Sequence, residues 1–177
     1  MTVFVEVDTT EGKFTLELDE ARTPKTCENF LAYVNKGFYE NTLFHRVIKN
    51  FVAQGGGFDA DMMQKTTEDP IQNEADLGAQ NLRGSIAMAR TSDPHSATSQ
   101  CFINLKDNQF LDFKSKDQNG WGYCVFGRLI NGMDVIDKIA TLPTTHRDGH
   151  ADVPEKDVLI KKMTVRDISS MYEDKID

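Results

Sequence analysis

Short segments in which apolar and polar residues alternate dominate this sequence, and they constrain the fold more than any other feature. Residues 3–7 have valine at every second position, and residues 13–18 alternate apolar Phe and Leu with polar Lys, Thr and Glu. A period of two residues is typical of a strand that buries one face. Gly12, between the two segments, can adopt the positive φ that a tight turn needs. The first eighteen residues therefore predict an antiparallel hairpin.

Further strand-like segments follow along the chain. The predicted strands cover residues 43–48, 51–54, 85–89, 101–105, 123–130 and 158–165. Two long polar loops, 55–82 and 106–122, separate some of them. Many short strands with few helices favour a barrel or a sandwich, and closing the sheet would remove its exposed edges.

Two segments have the period of a helix together with start and stop signals. The first begins at Thr23-Pro24, because threonine is a good N-cap and proline at the first helical position gives up an N–H that has no partner. It ends at Gly37. Its apolar stripe consists of Cys27, Phe30, Leu31 and Val34. The second helix, over residues 133–140, stops before Pro143. We expect both stripes to cover the open ends of the sheet.

Composition excludes several classes of function. The formal net charge of −8 argues against nucleic acid or an anionic membrane as a partner. No apolar run approaches the ~18 residues of a membrane span, and the N-terminal segment lacks the basic region of a signal peptide. The cysteines, Cys27, Cys101 and Cys124, form no C-x-x-C pair, which favours buried thiols in a reducing compartment. We therefore expect a cytoplasmic protein.

Neither a repeat nor a linker divides the chain. We expect one domain over residues 1–168, followed by a polar tail over residues 169–177. A chain of 177 residues can bury a core large enough to fold without a metal or a disulfide.

Three motifs could carry chemistry, but each has a simpler interpretation. The glycines at 55–57 lack the Lys-Ser/Thr of a phosphate loop and favour a tight turn. Residues 92–96 contain Ser, Asp and His, but the members of a hydrolase triad normally come from separate elements. The His and Asp residues of segment 146–152 could bind a metal, although a solvated loop without rigid ligands is the better interpretation.

Arg46 lies in an unusual position within an apolar segment. In a strand, Phe44, Arg46 and Ile48 share one face, whereas His45 and Val47 share the other. A charge on an apolar face needs water or a partner, because burying an unpaired charge is costly. Arg46 therefore either covers the rim of the sheet with its stem while its head stays in water, or it has a functional role. The pattern leaves both interpretations open.

The motif around Arg46 resembles the signature of the cyclophilins, the peptidyl-prolyl cis/trans isomerases. Phe-His-Arg-Val-Ile at 44–48 is followed by Gln-Gly-Gly at 54–56. The resemblance extends from Val3 to about Val165, and its further motifs lie at residues 84–90, 97–103, 110–112 and 123–127. The sequence is most similar to the bacterial branch, of the cytoplasmic cyclophilin B type. The resemblance implies a mainly β fold, a closed eight-stranded antiparallel β-barrel capped by two α-helices.

The resemblance also implies roles for the residues at matching positions. The implied catalytic residues are Arg46, His45 and Gln54. The implied substrate-binding residues are Phe51, Val52, Ala89, Arg90, Thr91, Gln100, Phe102, Phe110, Leu111 and Tyr123. Many family members have Met, Asn, Trp and His at four of these positions, where this chain has Val52, Arg90, Phe110 and Tyr123. These departures bear on substrate preference and drug binding, and they remove neither the arginine nor the pocket.

The implied activity is rotation about X–Pro peptide bonds, which assists protein folding. Because no bond is made or broken, no cofactor and no metal are expected. The implied partners are proline-containing peptides and unfolded or folding proteins. We expect a monomer with neither nucleic-acid nor membrane partners, and we expect cyclosporin to bind weakly.

Two other classes of function stay open. One is a module that binds proline peptides without turnover, which a protease-coupled peptide assay would distinguish. The other is an assembly partner that acts through its acidic surface, which would form a complex that survives the loss of Arg46. The intact Arg46, Phe51, Gln54 and Phe102 set favours the isomerase.

Overall fold

The computed structural model describes residues 2–167, which form a curled antiparallel sheet, a separate hairpin and two α-helices. The strands of the sheet are β1 (Val3–Thr9), β2 (Gly12–Leu18), β3 (Thr42–Leu43), β4 (Arg46–Ile48), β5 (Val52–Gly55), β6 (Ser85–Met88), β7 (Cys101–Asn104), β8 (Val125–Asn131) and β11 (Leu159–Asp167). The hairpin consists of β9 (Thr144–Arg147) and β10 (His150–Pro154). The helices are α1 (Pro24–Asn35) and α2 (Met133–Thr141).

The sheet differs from the expected barrel in strand count and in closure. Its order is β3-β11-β1-β2-β8-β6-β7-β5-β4, which makes nine strands rather than eight. The sheet curls through 300°. Its two end strands, β3 and β4, share no ladder within residues 2–167. The prediction of a mainly β fold with two helices is confirmed, whereas the expected closed, eight-stranded barrel is corrected to a curled nine-stranded sheet.

The strand predicted over residues 43–48 is interrupted. β3 ends at Leu43 and β4 begins at Arg46, because Leu43 pairs with Leu159 of β11 whereas Arg46 pairs with Gln54 of β5. The chain changes partners at residues 44–45 and therefore leaves the ladder there. This break makes β3 and β4 the two ends of the sheet.

The first hairpin and both helices lie where local sequence signals predicted them. β1 and β2 pair from Phe4–Glu17 to Thr9–Gly12, and Gly12 has a φ of 131°. Helix α1 begins after Thr23 with proline at its first position, and Gly37 follows its end with a φ of 71°. Thr23 makes no side-chain cap, because its Oγ1 donates to the carbonyl oxygen of Asp19 at 3.0 Å. Helix α2 ends before Pro143, as predicted.

The interior contains one large core and a smaller apolar cluster. Both helices pack on the large core, α1 with its buried Phe30 and Tyr33 and α2 with Ile136 and Ile139. Tyr33 takes the place that the sequence predicted for Leu31, which is only partly buried. The small cluster consists of Val52, Ala87, Ala89, Phe102, Leu111 and Val125. It lies on the side of β5, β6 and β7 that carries the pocket described below.

The β9–β10 hairpin corrects the expectation of a solvated loop at residues 146–152. It packs against β4, where the His150 ring contacts the rings of Phe58 and His45 at centroid distances of 5.1 and 6.2 Å. Residues 2–167 hold no group of three or more His, Cys, Asp or Glu arranged for a metal ion. The hairpin instead packs against β4, the strand that carries Arg46.

The three cysteines are buried and free, as the sequence predicted. Burial raises the pKa of the Cys27 thiol to about 11 and those of Cys101 and Cys124 to about 12, so all three are protonated at neutral pH. No helix among the described residues is long and apolar enough to cross a membrane. The tail predicted over residues 169–177 lies outside the described residues.

Candidate active site

Arg46 and Gln54 face each other because β4 and β5 pair in register. They are direct cross-strand partners, so their side chains lie on the same face of the sheet. Arg46 Nη1 donates a hydrogen bond to Gln54 Oε1 at 3.0 Å. Gln54 Nε2 in turn donates to Gln100 Oε1 at 3.0 Å. This chain of hydrogen bonds holds the guanidinium in one direction.

Gly56 and Gly57, which follow β5, leave the space in which the Gln100 side chain reaches Gln54. Gly56 has a φ of 90°, and a Cβ there would press on the Tyr39 ring at 2.9 Å. A Cβ at Gly57 would overlap the Gln100 side chain. The turn predicted for residues 55–57 is a bend at Gly56 and Gly57, since Gly55 still pairs in β5, and these two glycines provide the space in which Gln100 packs.

A pocket of about 160 Å³ lies beside Arg46. Its lining residues are Arg46, Phe51, Val52, Gln54, Ala89, Arg90, Phe102, Leu111 and Tyr123. All nine are among the predicted site residues. The volume suits one small ring rather than a whole drug-sized ligand. A larger groove of about 890 Å³, between segments 17–22 and 79–85, shares no lining residue with this pocket.

The pocket combines an apolar floor with one charge at its edge. Val52, Phe102 and Leu111 are at most 8% exposed, so the floor is dry. The Arg46 guanidinium carbon lies 6.0 Å from the centre of the Phe51 ring. No carboxylate of the described residues forms an ion pair with Arg46. A cation beside an apolar surface with no paired anion can act on a dipole brought into the pocket.

Phe110 and Arg90 form two sides of the rim. Phe110 is 61% exposed and stacks on Phe51 with centroids 5.7 Å apart, so it does not pack into the core. Arg90 lies over the Tyr123 ring at 4.4 Å, and three of its N–H groups bond to backbone carbonyls. Both side chains are therefore positioned to touch a peptide that enters the pocket.

The comparisons with known proteins assign this arrangement to a family. The family model described as "Cyclophilin type peptidyl-prolyl cis-trans isomerase/CLD" matches residues 4–165. The chain belongs to the cyclophilins. Their activity is peptidyl-prolyl cis/trans isomerisation, EC 5.2.1.8, and they bind proline-containing peptides.

Bacterial cyclophilins are similar over nearly their whole length. A peptidyl-prolyl cis-trans isomerase of Streptomyces antibioticus is 56% identical over 161 residues, which cover 91% of this chain and 97% of the relative. Peptidyl-prolyl cis-trans isomerase B of Escherichia coli is 50% identical over 161 residues, which cover 91% and 98%. These relatives support the predicted bacterial branch.

A solved cyclophilin has the same fold. The crystal structure of a Cryptosporidium parvum cyclophilin superposes with a TM-score of 0.73 at 27% identity, covering 94% of this chain and 99% of that one. A second crystal structure of that protein, obtained in the presence of the dipeptide Ala-Pro, gives a TM-score of 0.71 and covers 93% and 99%.

His45 does not line the cyclophilin pocket. It lies on the opposite face of the chain from Arg46, is 4% exposed, and packs on Phe58 with ring centroids 4.5 Å apart. Burial, together with the neighbouring His150 and Arg46, lowers its pKa to about 4. Its Nδ1 has no hydrogen-bond partner among the described residues. Among the described residues the ring packs on Phe58 and His150 and does not line the pocket, so the expected catalytic role of His45 stays a prediction.

Thr91 and the Ser, Asp and His residues of segment 92–96 lie outside the pocket lining. Thr91 is exposed and binds Ser96 through its N–H and hydroxyl, so it lies beside the pocket without lining it. In the suspected triad, Ser96 Oγ donates to the Asp93 carbonyl oxygen, and His95 Nδ1 accepts from the Asn73 N–H. The serine and the histidine do not pair: Ser96 stabilises its own loop, and His95 joins that loop to Asn73.

Sequence reasoning missed a buried asparagine network behind the pocket. Asn81, Asn104 and Asn108 are each at most 1% exposed. Asn104 Nδ2 donates to Asn81 Oδ1 at 3.0 Å, and its Oδ1 accepts from Asn108 Nδ2 at 2.8 Å. Asn108 and Asn81 also bind the backbone of pocket residues. Asn108 Nδ2 donates to the Phe51 carbonyl. Asn81 Nδ2 donates to the carbonyls of Leu111 and Tyr123. The one available signal was a polar Asn104 at the end of an apolar strand.

Proposed function

We propose that Arg46 catalyses isomerisation by stabilising the twisted transition state of an X–Pro bond whose proline ring occupies the pocket. The observation that carries this role is the hydrogen bond from Arg46 to Gln54, at the edge of an otherwise apolar cavity. It favours a functional arginine over one that only covers the rim of the sheet. Gln54 and Gln100 act as positioning residues for the guanidinium.

The chemistry needs a hydrogen-bond donor and no nucleophile. Amide resonance gives the C–N bond a rotation barrier of ~20 kcal/mol. As the bond twists, the proline nitrogen regains its lone pair, and a guanidinium N–H can donate to it. In the planar ground state that lone pair is delocalised, so the donor stabilises the transition state selectively. Arginine suits this role because it stays protonated and presents several donors in a fixed plane.

One hydrogen bond is not sufficient to explain efficient catalysis. A charge-assisted hydrogen bond contributes ~1.5–3 kcal/mol, which corresponds to a rate increase of ~10- to 100-fold. The dry floor formed by Val52, Phe102 and Leu111 strengthens the field of Arg46, because water does not screen it there. It also holds the proline ring while the carbonyl on the other side of the bond rotates.

The other predicted site residues are proposed to bind the peptide on either side of the proline. The proposed substrate-binding set is Phe51, Val52, Ala89, Arg90, Thr91, Gln100, Phe102, Phe110, Leu111 and Tyr123. Seven of these residues line the pocket, Phe110 and Thr91 flank it, and Gln100 accepts a hydrogen bond from Gln54.

We further propose the setting in which this isomerase acts. Its substrates are proline-containing segments of unfolded or folding proteins, and it works as a monomer in the cytoplasm with residues 1–168 as one domain. Its acidic charge of −8 supports the absence of nucleic-acid and anionic-membrane partners. Cyclosporin binds weakly, because Phe110 has no donor where many family members have an indole N–H.

An X–Pro isomerisation assay with Arg46 variants tests the mechanism. Wild type, Arg46→Lys and Arg46→Ala are compared in a protease-coupled peptide assay, with Arg128→Ala as a control for the loss of one positive charge. Arg128 is 68% exposed and pairs with Glu17, outside the pocket. We expect activity to fall in both Arg46 variants and most in Arg46→Ala. Equal activity in Arg46→Ala and Arg128→Ala contradicts the assignment.

A further inference from the structure

A second depression adjoins the proline pocket on the far side of Arg90. It has a volume of about 240 Å³ and shares Arg90 and Tyr123 with the pocket. Its other lining residues are Ser92, Phe110, Asp112, Lys114, Gln118, Asn119 and Gly122. We call it the rim depression. A peptide whose proline occupies the pocket must place a neighbouring residue near this surface.

Arg90 presents a fixed guanidinium to both cavities. Its Nε and Nη2 donate to the Gly122 carbonyl at 3.1 and 2.9 Å, and its Nη1 donates to the Thr91 carbonyl at 2.9 Å. The Tyr123 ring supports its face at 4.4 Å. A guanidinium has five N–H donors, so these three bonds leave one N–H on each terminal nitrogen for a ligand. Two donors on a planar, preordered group suit a carboxylate.

Lys114 adds a second positive charge to the rim depression. Its Nζ contacts only the Phe110 carbonyl, at 3.4 Å, among the described residues, and neither it nor Arg90 forms an ion pair there. Asp112 is the one acidic residue in the lining. Its Oδ1 already accepts two hydrogen bonds from Asn81, at 2.6 and 3.0 Å. The depression therefore has a net positive charge with unused donors.

This local charge is opposite to that of the whole protein. A chain with a formal charge of −8 repels an acidic peptide at long range. Salt screens charges beyond about 8–10 Å, so Arg90 and Lys114 act only on groups that reach the rim depression. Discrimination at this place must then arise in the bound complex rather than in the encounter.

We propose that the rim depression is a subsite for an acidic side chain, Asp or Glu, adjacent to the isomerised proline. This inference rests on the proposed function, because it requires the proline ring in the pocket beside Arg46. It gives the cyclophilin a preference among X–Pro segments, and Arg90 and Lys114 are the residues that determine it.

Paired peptides test the preference. Two series carry Glu, Gln or Lys, one immediately before the proline and one immediately after it, and kcat/KM is measured by NMR exchange. In one series or both, we expect wild type to prefer Glu over Gln by about 3- to 10-fold, as for a partly exposed ion pair. The preference falls when NaCl rises from about 0.05 to 0.5 M, because the interaction is between charges.

Variants assign the preference to its residues. Arg90→Asn and Lys114→Gln each reduce the ratio of Glu to Gln activity towards one, whereas Arg128→Asn, which loses the same charge outside both cavities, keeps the wild-type ratio. Lys114 is exposed, so its replacement leaves the fold intact even where Arg90→Asn disturbs Tyr123. A wild-type ratio near one in both series overturns the proposal, as does an unchanged ratio in Arg90→Asn and Lys114→Gln.

The outcome is separable from that of the catalytic mechanism. An inactive Arg46→Ala with a wild-type Glu to Gln ratio of one removes the subsite and leaves the mechanism. A fully active Arg46→Ala removes the mechanism. In that case a wild-type ratio above one that Arg90→Asn abolishes still locates the acidic residue at the rim depression.

Discussion

Replacing Asn104 with leucine tests whether the asparagine network holds the pocket walls. Asn104 is fully buried, and its amide makes hydrogen bonds to Asn81, Ser85 and Asn108. Leucine has the same number of side-chain heavy atoms in the same branched arrangement, so Asn104→Leu removes the polar contacts without opening a cavity, although its two methyl groups are bulkier than the amide. The Asn81 Oδ1 acceptor and the Asn108 Nδ2 donor each lose a partner at a site that water does not reach.

The expected loss follows from the groups left without partners. A buried polar group that loses its hydrogen bond costs ~1–3 kcal/mol. Asn108 Nδ2 keeps its bond to the Phe51 carbonyl, and Ser85 Oγ keeps its bond to the Leu82 carbonyl, so their costs lie at the lower end. We expect the free energy of unfolding to fall by about 2–4 kcal/mol. Because Asn104 no longer links Asn81 to Asn108, which hold the backbone of Phe51, Leu111 and Tyr123, KM should rise more than kcat falls.

Urea unfolding and steady-state kinetics measure the two effects. Asn131→Leu is the matched control, since Asn131 is an exposed asparagine at the end of β8. We expect the control to change the free energy of unfolding by less than about 0.5 kcal/mol and to leave KM unchanged. A loss in Asn104→Leu no larger than that of the control, with a wild-type KM, would refute the assigned role of the network.

Three further predictions concern titration, metals and drug binding. His45 has its pKa lowered to about 4 in the folded state, so the unfolded state binds the proton more readily between pH 6.5 and 4. This contribution to stability is present above pH 6.5 and is lost as the pH falls. Wild type should therefore lose about 2 kcal/mol more than His45→Met between pH 7 and 5 in urea unfolding, and parallel losses contradict this. The activity should vary less than about twofold between pH 6 and 9 and should survive EDTA, because no proton transfer limits the step; a bell-shaped profile or inhibition by EDTA would contradict it. Phe110→Trp should tighten cyclosporin binding by about 5- to 30-fold without lowering the melting temperature, since Phe110 lies exposed on Phe51. An unchanged inhibition constant removes Phe110 from the drug-binding surface.

The sequence predicted those elements whose position depends on nearby residues, such as an apolar period or a helix start signal. The β1–β2 hairpin follows from its period of two, and α1 begins where Thr23-Pro24 predicts it. The β9–β10 hairpin has a turn signal in Asp148-Gly149, whose φ angles are 50° and 82°, but its strands lack an apolar period, because β9 is polar and mostly exposed. Its packing on β4 holds it in place and offsets the cost of the positive φ angles at Asp148 and Asp152, 50° and 61°. Those contacts depend on the tertiary structure.

The site, too, has residues that the sequence identified and residues whose contacts depend on tertiary packing. Arg46, Gln54 and the apolar floor could be identified in the sequence, because the resemblance to cyclophilins extends over their motifs. The period of two placed His45 on the face opposite Arg46, but the sequence did not show that its ring packs on Phe58 and His150 or that the ladder breaks at residues 44–45. Asn81 and Asn104 are 23 residues apart and meet only through the packing of a long loop against β7. Neither residue has a sequence neighbour that would indicate this contact.

The most direct test of Arg46 as the transition-state residue separates binding from rotation. NMR exchange on a saturating X–Pro peptide gives the cis/trans interconversion rate in the bound state, and a titration gives Kd, for wild type, Arg46→Ala and the control Arg128→Ala. We expect the bound-state rate of Arg46→Ala to fall by at least about 100-fold, with Kd within about 5-fold of wild type and a normal circular dichroism spectrum. A bound-state rate above about one third of wild type in a folded Arg46→Ala would contradict the role of Arg46.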